Sequence, residues 1–143
     1  MTPETRFGAY LRAFNAHDWD RLRDFYAPDV RLVIGNGTEL AGRDAIIDFY
    51  TRVNRQTRRT IEVVQCLASE AVLAAEIASE FLALEDVPDF TSQPLARGDR
   101  YYLNSFVFYD FTGDHYTRIR AATFHREFRP AGPEIRDQGH QTR

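Results

Sequence analysis

The side chains able to move a proton near neutral pH are few: four histidines, one cysteine and scattered carboxylates. His17 and His115 fall at turns and read as solvated, and His140 lies in a polar C-terminal stretch. His125 alone sits in an apolar, alternating run. Glu76 and Glu80 share one face of a predicted strand, but that spacing holds them about 13 Å apart. Paired-carboxylate glycosidases need roughly 5.5 to 9.5 Å. Asp110, Asp114 and His115 gather at a hairpin tip, where Asp and Gly are turn residues rather than metal ligands. Gly35 and Gly37 flank too short a loop for phosphate binding. Cys66 sits in an apolar run and reads as a buried, inert thiol. Arg52, Arg55, Arg58 and Arg59 read as the solvated end of a helix, with a weaker second role as an anchor for an acidic ligand.

Positioning these groups requires elements, and periodicity supplies them. Thr2, Pro3 and Glu4 form a helix start, and Phe7, Tyr10, Leu11 and Phe14 follow as one apolar stripe. Asp18 caps a second helix with Trp19, Leu22, Phe25 and Tyr26 on its buried side, ended by Pro28. A short strand spans 30–34. A third helix over 43–54 carries Ile46, Phe49, Tyr50 and Val53 on one face. Strands follow over 61–67 and 71–84. The second is locally ambiguous, because Ala and Glu favour helix. Its odd positions, Leu73, Ala75, Ile77, Phe81 and Ala83, form an uncharged face that argues for a strand. An acidic, proline-containing loop over 85–94 is a candidate rim or lid. Residues 101–128 then read as a long hairpin turning at Thr112, Gly113 and Asp114.

Helices first and strands after predict an α+β fold. The expected architecture is a cone: a strongly curved, antiparallel or mixed sheet wrapped around three N-terminal helices. The domain is expected over 1–129, with a disordered tail over 130–143. At 143 residues and 43% apolar content, one core is affordable. Net charge is −3 with both signs interspersed, which leaves no footprint for nucleic acid or an acidic membrane surface. No run approaches the ~18 apolar residues of a membrane span. The N-terminus lacks the apolar core of a signal peptide, so a cytoplasmic location is expected. All 18 basic residues are arginine, which suggests a GC-rich bacterial genome.

Three runs carry a family resemblance: YLRAFNAHDWD over 10–20, FYAPDV over 25–30 and GRDAIIDFY over 42–50. They resemble the nuclear-transport-factor-2-like superfamily, and within it the ketosteroid isomerases and SnoaL-type polyketide cyclases. The resemblance implies that Tyr10 is an oxyanion-hole donor backed by Tyr26 and Tyr50. It places Asn104 where that family has a second, acidic donor; an amide can donate without any pKa shift. The family's general-base aspartate falls on Ile34, which cannot move a proton. The alternative base position of the superfamily lies on the last strand. There His125 shares a face with Ile119, Ala121 and Thr123, which makes it the candidate base or acid.

Tyr10, Asn104 and His125 are therefore the candidate catalytic residues. Phe14, Tyr26, Ile34, Phe49, Tyr50, Tyr102, Phe106, Ala121 and Thr123 are the candidate pocket lining. The expected ligand is a flat, hydrophobic, carbonyl-bearing molecule: a steroid, a polyketide or an aromatic intermediate. No cofactor, metal, nucleic-acid partner or membrane partner is expected, and a homodimer through the outer sheet face is. An isomerase, dehydratase or cyclase is one reading. A binding protein that lost its base is another, and a pure interaction module a third.

Overall fold

The computed structural model describes residues 1–35 and 37–132. Helix α1 (Pro3–Asn15) starts as its sequence predicts: the Thr2 hydroxyl accepts the Thr5 N–H at 3.0 Å, and Pro3 fills the first turn. Phe7, Tyr10, Leu11 and Phe14 form its buried face. Helix α2 (Trp19–Arg23) is one short piece capped by Asp18. Helix α3 (Arg43–Gln56) buries Ile46 and Tyr50 and half-buries Phe49 and Val53.

Six strands form one sheet: β1 (Tyr26–Val33), β2 (Glu39–Ala41), β3 (Thr57–Ala68), β4 (Val72–Ala83), β5 (Arg100–Thr112) and β6 (His115–Arg129), in the order β2-β1-β6-β5-β4-β3. All neighbours are antiparallel except β1 and β6, which run parallel. The sheet is mixed and open, curled over the three helices as a cone. The β5–β6 hairpin turns where expected, with Gly113 at φ +58°.

Tyr26 is not on the second helix. Helix α2 stops at Arg23, and Tyr26 opens β1, where its neighbour Phe25 accepts the Tyr116 N–H at 2.8 Å. Pro28 sits inside β1, in the stretch where the register with β6 is interrupted and no ladder N–H is needed.

Strand β4 buries Leu73, Ala75, Ile77, Ser79, Phe81 and Ala83, the odd face predicted from its pattern. Strand β5 pairs with it odd to odd, as in Ile77 with Ser105 and Ala75 with Val107. The inward face of β5 is therefore Tyr101, Leu103, Ser105, Val107 and Tyr109. Asn104, Tyr102 and Phe106 face the other way. The main core joins α1, β1, α3 and the inner sheet face around Phe7, Tyr10, Phe14, Leu22, Tyr26 and Tyr116. A second cluster, Phe81, Val87, Leu95 and Tyr101, lies under the 84–99 loop. Asn15 fastens α1 to β3 from both sides: its Nδ2 donates to the Ile61 carbonyl at 3.0 Å and its Oδ1 accepts the Ile61 N–H at 2.9 Å. Near the C-terminal end, Ala131 is buried and its N–H donates to Asp99 Oδ1 at 2.9 Å. Of the tail expected over 130–143, residues from 133 onward lie outside the described region. Among the described residues, no helix is long and apolar enough to cross a membrane.

Candidate functional site

The cone holds a cavity of about 700 Å³ between α1, α3, the inner sheet face and the 84–99 loop. That is within the range of small-molecule sites, roughly 300 to 1,000 Å³. Tyr10, Phe14, Ile34, Phe49, Tyr50, Ala121 and Thr123 all line it. Tyr26 stands one layer behind: it is fully buried, and its hydroxyl meets that of Tyr10 at 2.7 Å. With Tyr26 donating in that bond, the proton of Tyr10 is free for a ligand oxygen.

Four phenols crowd this region. Burial raises Tyr10 well above the ordinary phenol range, and Tyr26, Tyr50 and Tyr109 push it further. Burial likewise raises Tyr26 well above that range, with Tyr50 adding to it. Tyr50 is raised by burial and partly offset by the Arg59 guanidinium. Tyr109 is raised by burial and its phenolic neighbours. All four are hydrogen-bond donors at neutral pH, and none is a base.

Two residues placed at the centre of the chemistry by sequence lie outside the cavity. Asn104 is on the outer face of β5, opposite His125 in the pairing. His125 is turned out by a β-bulge. The register passes from Ser105–Thr123 to Asn104–His125, so one extra residue, Phe124, is spent between two facing pairs. Thr123 points in; His125 points out, with its side chain 54% exposed and Nε2 3.8 Å from Glu127 Oε1. Tyr102 is also outside, donating from its hydroxyl to Glu80 Oε2 at 2.9 Å. Phe106 stacks on Phe124 across the outer face at 4.4 Å. Glu76 and Glu80 share this outer face, away from the cavity.

The bulge brings Arg126 inward instead, opposite Leu103. Other lining residues were not among the candidates drawn from the sequence: Leu103, Ser105, Val107 and Tyr109. Arg59, Arg52 and Arg55, read there as the end of a helix with a weaker role as an acid anchor, also line the cavity. Ser105 and Thr123 hold each other hydroxyl to hydroxyl at 3.2 Å. The 84–99 loop forms one wall. Its Val87 bridges to Leu95, and Phe90 packs edge-on against Phe81 and Tyr101. Glu85 and Asp89 of that loop are the two carboxylates in the lining. Among the described residues, no three His, Cys, Asp or Glu side chains cluster as metal ligands.

Residues 7–126 match the SnoaL-like domain, and the chain belongs to that family, within the nuclear-transport-factor-2-like superfamily. Solved structures agree. A Xanthomonas campestris protein assigned as a polyketide cyclase is 27% identical, with 83% of this chain and 87% of that one covered and a TM-score of 0.72. A SnoaL-like polyketide cyclase from Agrobacterium tumefaciens is 21% identical over 87% of this chain and 92% of that one, at a TM-score of 0.71. A computationally designed 17-OHP binder shares the fold at 18% identity and a TM-score of 0.67, covering 86% of this chain and 95% of that one. No curated protein matches the sequence.

Proposed function

We propose that the chain takes up a flat, hydrophobic, carbonyl-bearing molecule in its cone and acts on it as a cofactor-independent isomerase, dehydratase or cyclase. The observation that carries this reading is the Tyr10–Tyr26 hydroxyl pair at the wall of a largely apolar cavity. A phenol already accepting a hydrogen bond is a stronger donor to a developing enolate oxygen. The proton-accepting role falls to the lining carboxylates Glu85 and Asp89, since His125 faces away. The polyketide cyclase assignment of the Xanthomonas relative supports a ligand of this class.

The second reading is a binding protein without chemistry. Ile34 at the family's base position and the outward His125 favour it. One experiment separates the two. 2-Tetralone is a flat, enolisable ketone whose α-proton exchange in D₂O is followed by NMR. Catalysed exchange, slowed about 10²-fold or more by Tyr10→Phe, supports the enzyme. Saturable binding without faster exchange supports the binder.

The outer sheet face exposes Phe106, Phe108 and Phe124 at 49, 48 and 51%, beside Val64 and Leu67. An apolar patch of this kind favours association of two copies through this face.

A further inference from the structure

We propose that Arg59 makes the cone selective for a flat apolar molecule bearing a carboxylate. This deepens the ligand reading above and rests on it. Arg59 is on the inward face of β3, between Thr57 and Ile61, and lines the cavity. Its guanidinium lies over the Phe81 ring at 4.9 Å and the Phe14 ring at 5.4 Å. Nη2 donates to Ser79 Oγ at 3.1 Å, and Nε is buried without a hydrogen-bond partner.

A guanidinium carries five N–H donors and a permanent charge. Among the described residues, every ion pair lies elsewhere: Arg6–Asp114, Arg23–Asp44, Arg31–Glu39, Arg100–Glu80, Arg120–Asp110, and Glu127 with His125 and Arg129. Glu85, the nearer lining acid in sequence, accepts from Gln56 Nε2 at 3.2 Å. A partly desolvated charge with spare donors and no counterion is costly unless something supplies the anion.

The rest of the wall has the same bias. Four guanidinium groups line the cavity, from Arg52, Arg55, Arg59 and Arg126, against the carboxylates of Glu85 and Asp89. Of the four, Arg59 is the one clamped between aromatic rings and fixed to a neighbouring strand. A planar carboxylate matches its fork, and a ring system attached to it meets Phe14, Phe81 and Ile61. The sequence offered a clue. Extending the period-2 pattern of β3 back from Ile61 places Arg59 on the buried face.

The test compares 2-naphthoate with its neutral isostere 2-naphthamide by calorimetry on the full chain. The acid is expected to bind at least about tenfold more tightly. Arg59→Gln removes that preference while the amide keeps its affinity; Arg59→Lys retains part of it; Arg58→Gln, whose side chain is on the exposed face of β3, leaves it intact. Equal binding of acid and amide by the unsubstituted chain overturns the proposal and leaves the ligand-binding cone standing. So does a preference that survives Arg59→Gln. Failure of both probes to bind overturns the proposal together with the reading beneath it. The comparison on the unsubstituted chain stands even where Arg59→Gln does not fold.

Discussion

Tyr10 and Tyr26, 16 positions apart in the chain, meet hydroxyl to hydroxyl at 2.7 Å, from a helix and from the first residue of a strand. The contact exists because α2 ends early enough for Tyr26 to turn into the sheet. Around it, Tyr10 makes edge-on ring contacts with Phe25, Tyr109 and Tyr116 as well. The geometry fixes the orientation of the Tyr10 hydroxyl before any ligand arrives. Preorganisation of this kind gives a donor its catalytic or binding value.

Tyr10→Phe removes one partner and leaves the buried Tyr26 hydroxyl unsatisfied. The expected loss of stability is about 1–3 kcal/mol. Urea unfolding measures it. Tyr26→Phe leaves Tyr10 with the cavity to turn to and is expected to cost less.

Alkaline pH should unfold the protein through its phenols. Burial raises Tyr10, Tyr26 and Tyr50 above the ordinary phenol value in the folded state. The unfolded chain titrates them near pH 10. Below that value both states hold the protons and the stabilisation is complete. Above it the unfolded state releases protons that the folded state keeps, so stability falls as pH rises. The urea midpoint should be flat from pH 7 to about 9 and decline steeply above about 10. A midpoint unchanged at pH 11 contradicts the buried phenol cluster.

Gly35 and Thr123 face each other across the cavity wall. A Cβ at Gly35 would overlap the Thr123 hydroxyl, which is held by Ser105. Gly35→Ala is therefore expected to destabilise by about 1–3 kcal/mol and to weaken ligand binding. The double variant Gly35→Ala, Thr123→Ala should recover much of the stability, read as coupling in thermal melts.

His125→Ala and Asn104→Ala should leave ligand affinity within about twofold, because both side chains lie on the outer face. A loss of about tenfold in either would contradict the bulge between Ser105 and Asn104.

Much of this was readable from periodicity, and the exceptions share a cause. The stripe of α1 and the odd face of β4 follow from spacing, even though Ala and Glu in β4 favour helix. Strand β5 is different. Leu103, Val107 and Tyr109 face Phe106 and Phe108 across it, so both sides are apolar and alternation does not say which one is buried. The orientation of β5 comes from its register with β4. His125 depends on a bulge, and a bulge belongs to a pair of strands rather than to one segment. Arg59 was hidden because β3 begins at Thr57 with no linker after α3, so a position that reads as a helix end is already strand.

The central claim is that a ligand oxygen is held by Tyr10 inside the cone. A crystal structure with bound 2-naphthol tests it most directly. The account predicts the naphthol ring between Phe14, Ile34 and Val107, with its oxygen about 2.7 Å from the Tyr10 hydroxyl. A cavity closed by its own side chains, or naphthol found only on the outer face beside Phe106 and Phe124, would contradict it.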